Sequence, residues 1–431
     1  MNILIIGSGG REHALVWKIK QSPKVTHIFC APGNAGIAQI AEIAEIKPSD
    51  TDELIKFAKN NSIDLTIVGP EQPLTEGIVE AFEDNDLKIF GPSMKAAQLE
   101  GSKIFAKEFM ARHKIPTANF KTFGVETRYE AERYINEIPV PVVIKADGLA
   151  AGKGVTVCES KDAALDSLDS LFTKKTLGQA GEKIIIEDFM VGEELTILVI
   201  TDGKDFVTFP PAQDHKRILD GDVGKNTGGM GAYAPAPFVS EELFEKIKRT
   251  IIKPTIYGMT KEGYPFKGCL YFGLMLTETG PHVVEYNCRF GDPETQVVLP
   301  LIQNDLVELM LASIEGDIAK FKLITSPSMA VCVVIASRGY PDSYETGKPI
   351  FGLDNVVNNP DVYIFHSGTK MENDSIVTAG GRVIGVTAVG ESDKLEETIL
   401  NAYRSVDKIT FDGAYYRSDI GKKALRRVVN T

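Results

Sequence analysis

Residues 2–6 (NILII) form a short continuous apolar run, and after Gly7-Ser8-Gly9-Gly10 the apolar positions take helical spacing from about Arg11 to Lys20. The pattern predicts a buried strand, a glycine loop and a helix. The alternation recurs as a strand at 25–30, a helix at about 51–60, a strand in LTIVGP at 65–70, a helix after Thr75 and a strand in KIFGP at 88–92. Strands and helices that alternate across short loops build a parallel sheet covered on both faces, here ending near Gly101. Such sheets take their ligands beyond the carboxyl ends of the strands, where these glycine and proline loops lie.

An amphipathic helix is predicted from Ser102 to Arg112, with Ile104, Phe105 and Phe109 facing a core and Ile115-Pro116-Thr117 closing it. Between about 120 and 190 the pattern describes a small α/β unit with strands at PVVIKA, GVTVCE and KIIIED, a glycine-rich turn and a helix near 161–173. Two strands follow within 194–210. The long polar stretch from Pro211 to Pro237 has no regular pattern, and a structureless segment of that length inside a compact protein is functional or disordered. A helix over 240–262, a hairpin of CLYFGLMLT and HVVEYN, a helix near 293–314 and a strand-rich unit after Ser326-Pro327-Ser328 complete the chain.

The length of 431 residues suggests roughly three domains. Lys plus Arg number 47 against 59 Asp plus Glu, a formal charge of −12, opposite to what binding a phosphate backbone requires, so nucleic acid is excluded as a bulk partner. Any anionic ligand must then meet a local island of cations and backbone N–H groups. The five cysteines have no CxxC spacing, which argues against a disulfide framework or a structural zinc site and for reduced thiols in the cytoplasm. The N-terminus has neither a basic region nor a long apolar core, so no leader peptide is expected, and no run reaches the ~18 apolar residues of a membrane span.

Several segments concentrate chemistry. Gly7-Ser8-Gly9-Gly10-Arg11-Glu12 departs from a dinucleotide fingerprint where Glu12 replaces the third glycine, leaving either a tight turn or a one-phosphate site at a helix N-terminus beside Arg11. Pro32-Gly33-Asn34-Ala35-Gly36 is a second such loop. In KADGLAAGKGV at 145–155, Lys145 and Lys153 bracket Gly148 and Gly152, with Gly154 beyond. The segment is either a plain hairpin turn or a flexible loop that folds its amides over a polyphosphate, and its spacing is not that of a Walker loop.

Glu187-Asp188-Phe189-Met190, with Glu194 beyond, suits either a solvated acidic turn or a cleft for a flat base whose ribose bonds to an acid. Asp214-His215-Lys216-Arg217 precedes Thr227-Gly228-Gly229-Met230-Gly231, whose glycines allow close approach of backbone to ligand. Glu285, Asn287 and Arg289 alternate by two on one strand face. That face is either a solvated edge or two hard oxygen ligands beside a guanidinium, as metal-bound polyphosphate chemistry requires.

Eight strings in one order carry a more specific signal: GSGGREHA at 7–14, PGNAG at 32–36, KADGLAAGKGV at 145–155, QDHKR at 213–217, NTGGMGAY at 226–233, EYNCRFGDPETQ at 285–296, GGRVIGVTA at 380–388 and RSDIG at 417–421. Together, over nearly the whole chain, they resemble the ATP-grasp ligases and, within them, the glycinamide ribonucleotide synthetase family. The resemblance implies an α/β, ATP-grasp fold with an N-terminal Rossmann-like parallel-sheet domain (1–101), a core (102–120 and 191–325), a mobile lid (121–190) and a C-terminal strand-rich domain (326–431).

The resemblance also implies that glycine and 5-phosphoribosylamine are joined in purine biosynthesis with ATP as co-substrate, through a glycyl phosphate, with Mg2+ or Mn2+. Carried over by motif, Lys103, Lys145 and the loop with Gly148, Gly152, Lys153 and Gly154 hold phosphates. Glu187, Phe189 and Met190 hold adenine and Glu194 the ribose, while Glu285 and Asn287 bind metal and Arg289 faces the transferred phosphoryl group. Asp214 and Lys216 stand near glycine, Asp292 near the amine, and Gly9, Gly10 and Arg11 near the ribose phosphate. Other ATP-grasp enzymes place a further acid on the first hairpin strand, where this chain has Leu270-Tyr271-Phe272-Gly273. The partners implied are small molecules, with transient contact to the preceding pathway enzyme. The alternatives are another ATP-grasp ligase or carboxylase, against which GSGGREHA and NTGGMG speak, and a non-catalytic nucleotide-binding protein, against which Lys145, Glu285, Asn287 and Arg289 speak.

Overall fold

The computed structural model describes residues 1–149 and 154–428. The N-terminal sheet is parallel, in the order Glu42–Ile43, His27–Pro32, Asn2–Gly7, Leu65–Val68, Ile89–Phe90. Ile3, Leu4, Ile5 and Ile6 are all fully buried, as expected of a central strand covered on both faces. The helix Gly10–Ile19 starts directly from its glycine loop. The helical segment expected after Thr75 is two short helices, Glu71–Thr75 and Ile78–Glu83, divided at Gly77.

A second sheet is antiparallel, in the order Phe206–Thr208, Glu193–Asp202, Lys267–Thr277, Gly280–Asn287. The helix Lys103–Arg112, capped where the Ser102 hydroxyl accepts from the Phe105 N–H, leads into it. Inserted between them is a four-stranded antiparallel sheet, Phe120–Gly124, Lys183–Asp188, Val142–Ala146, Val155–Cys158, backed by the helices Arg128–Glu137 and Lys161–Phe172. Its apolar interior, with Ile135, Ile144, Leu168, Phe172 and Ile186, is a cluster of its own, whereas the other two apolar clusters each draw on the N-terminal, central and C-terminal sheets together. Each such side chain contributes about 1.5–3 kcal/mol on burial, so this unit has a core of its own.

The stretch from Pro211 to Pro237 is not structureless: it forms the strands Gln213–Asp214, Arg217–Leu219, Val223–Asn226 and Gly231–Ala234. These strands are only two to four residues long, which hid them from a search for hydrophobic periodicity. Gly231–Ala234 pairs with Ser328–Ser337, so the C-terminal sheet, Gln213–Asp214, Gly231–Ala234, Ser328–Ser337, Arg382–Glu391, Val362–His366, takes strands from both sides of residue 326. The last unit also carries the amphipathic helix Leu395–Val406, which the sequence reading left out.

Two expected helices are interrupted. The segment 293–314 divides into Glu294–Val298, a tight turn at Leu299–Leu301 containing Pro300, and Leu306–Glu315, capped by Asp305. Proline lacks the N–H that would continue the ladder. The segment 240–262 runs as Glu241–Ile247, a wider π turn at Lys248–Ile252 and Lys253–Lys261, the widening falling just before Pro254. No described helix is long and apolar enough to cross a membrane.

Candidate active site

The inserted four-stranded sheet reaches the helix Lys103–Arg112 and the central sheet through polar contacts. The Asp147 carboxylate accepts from the Ser102 hydroxyl at 2.9 Å and the Ile104 N–H at 3.1 Å, a second cap on the helix Lys103–Arg112. Next to it the Lys103 ammonium donates to the Gly148 carbonyl at 3.0 Å. Burial lowers the Lys103 pKa, with Lys145 adding to the effect. The hairpin closes where Ala146 N–H donates to the Gly154 carbonyl at 2.8 Å, while Gly152 and Lys153 lie outside the described residues.

Lys145, on the strand Val142–Ala146, donates to the Val284 carbonyl at 3.1 Å and lies 3.0 Å from Glu187 Oε2. Glu187 therefore turns its side chain inward toward lysines. The exposed surface at this corner belongs to Phe189, 39% exposed, and Val191, 76% exposed, with Met190 half-buried between them. A crossover of this kind leaves main-chain groups and apolar side chains free for a flat ring. Glu194 is the second residue of the next strand, Glu193–Asp202, and its carboxylate lies 3.2 Å from the Lys216 ammonium.

The same ammonium lies 3.7 Å from Glu285. Burial alone would weaken the charge on Lys216, but Glu194, Asp214, Tyr271 and Glu285 outweigh it and push the pKa well above its ordinary value. Asp214 moves in the direction opposite to an ordinary paired carboxylate: burial raises it strongly, and Glu294, Glu194 and Glu285 add to that against Lys216 alone. Tyr271 and Glu294 complete the group, the phenol donating to Glu294 at 2.9 Å and the Thr196 hydroxyl donating to the phenol oxygen at 3.0 Å. One ammonium among this many acids leaves room for a second cation.

On the strand Gly280–Asn287, Glu285 stands opposite Gly273 and Asn287 opposite Tyr271. Burial would raise the Glu285 pKa, but Lys216, Lys145, Lys103 and Arg289 outweigh it and keep the carboxylate ionised. Asn287 Oδ1 accepts from Arg289 at 3.3 Å. Among the described residues no three His, Cys, Asp or Glu side chains are grouped to hold a metal ion unaided. Two hard oxygens on one face suit a divalent ion that completes its shell with phosphate and water.

Arg289 bridges further. Its Nε lies 3.0 Å from Glu71 and its terminal nitrogen 3.0 Å from Glu100, which also accepts from the Cys288 N–H at 2.7 Å. Glu71 opens the helix just past the carboxyl end of the strand Leu65–Val68, so the N-terminal sheet supplies an anchor for the guanidinium. Burial would raise the Glu71 pKa, but Arg289 and Arg11 hold it down at about 2.

The first glycine loop is less open than its sequence suggests. Glu12 folds back over it, accepting from the Gly9 N–H at 2.6 Å and pairing with Arg11 at 2.5 Å. Gly7, at φ +127°, has no room for a side chain because a Cβ there would lie 2.6 Å from the Glu12 side chain. The Arg11 N–H reaches Asp292 Oδ2 at 3.3 Å, and Gly10 packs against Gln296 and Ser367. Asp292 in turn lies 3.3 Å from Arg382 and accepts from Gln296 at 2.8 Å. Burial would raise its pKa, but Arg382 and Arg11 outweigh it and keep it ionised. Arg382 also donates to the Gly228 carbonyl at 2.6 Å, tying NTGGMG to the junction.

The expected residues thus fall into two neighbouring groups. Lys103, Lys145, Gly148, Glu187, Glu194, Asp214, Lys216, Glu285, Asn287 and Arg289 line one path between the inserted sheet and the central sheet. Gly9, Gly10, Arg11 and Asp292 gather where the N-terminal loop meets the C-terminal sheet, joined to the first group through Arg11 and its donation to the Phe290 carbonyl at 3.2 Å. Lys107, Glu71, Glu100, Tyr271, Glu294, Gln296 and Arg382 were not anticipated. Two of these had a signal: Glu71 follows a parallel strand directly, and Lys107 is one turn from Lys103 on the same helix face.

Family models for phosphoribosylglycinamide synthetase match the chain in three parts: the N domain over residues 1–100, the ATP-grasp (A) domain over 101–295 and the C domain over 330–423. The phosphoribosylamine-glycine ligase of Rhodopirellula baltica is 48% identical over 98% of this chain and 98% of its own length, and that of Chlorobaculum tepidum is 48% identical over 99% and 100%. A bifunctional purine biosynthetic protein of Pichia angusta is 50% identical over 99% of this chain, which spans 54% of that longer protein. Among solved structures, the phosphoribosylamine-glycine ligase of Thermotoga maritima superposes with a TM-score of 0.83 at 34% identity, covering 97% of this chain and 100% of that one. A biotin carboxylase from Campylobacter jejuni superposes at 0.73 with 17% identity, covering 96% and 92%, a likeness of fold.

Proposed function

The chain belongs to the phosphoribosylglycinamide synthetase family, and from that premise we propose that it joins glycine to the amino group of 5-phosphoribosylamine, converting ATP to ADP and phosphate. It is an ATP-dependent ligase of purine biosynthesis. The observation that carries the reading is the path of Lys103, Lys145, Lys216 and Arg289 around the Glu285 and Asn287 oxygens. A carboxylate and a triphosphate repel each other, and a desolvated set of fixed cations offsets that repulsion where it matters.

In this reading Lys103, Lys145 and the loop through Gly148, Gly152, Lys153 and Gly154 hold the phosphates. The main chain from Glu187 to Met190 and the Phe189 ring hold adenine, and Glu194 holds the ribose. Glu285 and Asn287 would hold Mg2+ or Mn2+, which when bound shields phosphate charge. The lid, with its separate apolar interior, closes over the nucleotide.

Glycine belongs beside Asp214 and Lys216. Its ammonium supplies the cation that Asp214 and its acidic neighbours lack, and its carboxylate meets the charged Lys216. The carboxylate oxygen bonds to the γ-phosphorus and ADP leaves, with Arg289 facing the transferred group. The nitrogen of phosphoribosylamine then attacks the acyl carbon, phosphate leaves with one glycine oxygen, and the nitrogen loses a proton. Asp292, held ionised by Arg382 and Arg11, accepts from that nitrogen. The ribose phosphate lies toward Gly10 and Arg11, since the Gly9 N–H is taken by Glu12.

We place the reaction in the cytoplasm, in keeping with five free thiols, and expect transient contact with the enzyme that supplies the amine. The test is ADP release with each substrate withheld in turn. Release only when glycine and phosphoribosylamine are both present supports the reading, and hydrolysis indifferent to both contradicts it.

A further inference from the structure

Lys107 is a buried lysine, 2% exposed, that the reaction described above does not use. Its ammonium donates to the Thr117 hydroxyl at 2.7 Å and the Ala118 carbonyl at 3.4 Å, and the Thr117 hydroxyl donates to the Val283 carbonyl at 2.7 Å. These bonds fix Lys107 at the root of the lid, against the central sheet. It also lies 3.2 Å from Glu187 Oε2, and Lys145 lies 3.0 Å from that same oxygen. The two ammonium groups are therefore within about 6 Å of each other. The second oxygen, Glu187 Oε1, is buried and has no hydrogen-bond partner among the described residues.

Two cations on one carboxylate oxygen is an unbalanced arrangement. A Glu187–Lys145 pair alone would be neutral, and in a low-dielectric interior it would resist opening. With Lys107 present, Glu187 is shared between two ammonium groups, and these three side chains together carry one net positive charge. Lys107 is tied to Thr117 and Ala118, whereas among the described residues Lys145 makes one further hydrogen bond, to the Val284 carbonyl, and faces Glu285. Lys145 is thus the less tethered of the two charges.

We propose that Lys107 is a positioning residue for the nucleotide, which balances the Glu187 carboxylate so that Lys145 keeps a free charge for phosphate. The inference rests on the reading that Lys145 grips the phosphates. The groups facing Lys107 are Glu187, Asp188 and Lys145 on the lid, with the Phe120 ring 5.6 Å away. Burial lowers Lys107 to about 8, Lys145 adding to the effect and Glu187 opposing it. Above that pH Lys107 loses its proton and Glu187 is answered by Lys145 alone.

The test compares KM for ATP, KM for glycine and kcat in Lys107→Met, Lys145→Met and the Lys107→Met, Glu187→Gln double variant. Expected is an ATP KM raised about tenfold in Lys107→Met with the glycine KM within twofold of wild type, and recovery to within about threefold in the double variant. Recovery follows because Glu187→Gln removes the carboxylate 3.0 Å from Lys145, and a lysine needed only for packing would not be rescued that way. An unchanged ATP KM in Lys107→Met, or a double variant no better than the single, overturns the role of Lys107. An unchanged ATP KM in Lys145→Met overturns the phosphate reading beneath it. Should Lys107→Met fail to fold, the wild-type ATP KM against pH serves instead. A rise above about pH 8 that persists in Lys103→Arg supports the proposal, and a flat profile overturns it.

Discussion

Arg289 Nε lies 3.0 Å from the Glu71 carboxylate, across 218 positions of sequence, and its other edge meets Glu100 at 3.0 Å. The guanidinium is a joint between the N-terminal sheet and the strand that carries Glu285 and Asn287. Arg289→Lys keeps the charge but not the fork, since an ammonium cannot span both carboxylates in the same geometry. We expect a folded variant with kcat reduced about 10²- to 10³-fold and a nearly unchanged ATP KM. Arg289→Met takes the cation from the buried Glu100 and the half-buried Glu71, and a loss of stability is expected in urea unfolding. Wild-type kcat in Arg289→Lys would remove the guanidinium from the transfer step.

Glu285 supplies a carboxylate oxygen next to the amide of Asn287. Glu285→Ala keeps the fold, because the side chain lies in the cleft and Gly273 opposite it needs no partner. The expected outcome is turnover lost or a divalent-ion requirement shifted to much higher concentration, read by titrating metal at saturating ATP. Near-normal activity with ordinary metal dependence would contradict the assignment.

The inserted unit, proposed above as a lid, has its own apolar interior and meets the rest of the molecule at Ser102, Lys103, Lys107 and Val284 among other residues. Nucleotide binding should add contacts at that seam and suppress opening. Backbone hydrogen exchange across 120–188 is expected to slow on adding ATP analogue, more than in 267–287. Equal exchange with and without nucleotide would exclude closure.

Three buried histidines make the fold sensitive to acid. Burial lowers His13 to about 3, with His366 adding to it, His366 to about 4, and His215 to about 4, with Arg417 adding to it, all from 6.5. Below pH 6.5 the unfolded chain binds protons that the folded chain refuses, so stability is full above 6.5 and falls as pH drops toward 4. Each such histidine steepens the loss by about 1.4 kcal/mol per pH unit. The His13 Nδ1 accepts from the His366 N–H at 2.8 Å, a bond that His13→Asn can imitate. Its urea unfolding energy between pH 6 and 4 should fall less steeply than wild type by about that amount, and parallel slopes would contradict the account.

Much of the fold was legible because buried parallel strands such as residues 3–6 are uniformly apolar and glycine loops mark their ends. The short strands of 213–234 were not, since two to four residues are too few to carry a periodicity. The same division holds for the site. Lys145, Glu285, Asn287 and Arg289 stand in strings whose spacing announces them, while Glu71, Glu100 and Lys107 act only through partners brought together by folding. Glu12 was legible as a departure from a fingerprint, but only the fold shows that its carboxylate takes the Gly9 N–H.

The central claim is that the glycine carboxylate is activated by phosphoryl transfer before the amine attacks. The most direct measurement supplies glycine labelled with 18O in its carboxylate and follows the label into inorganic phosphate during turnover. The account predicts one labelled oxygen in each phosphate released and none in ADP. Phosphate free of label while glycinamide ribonucleotide accumulates would contradict it.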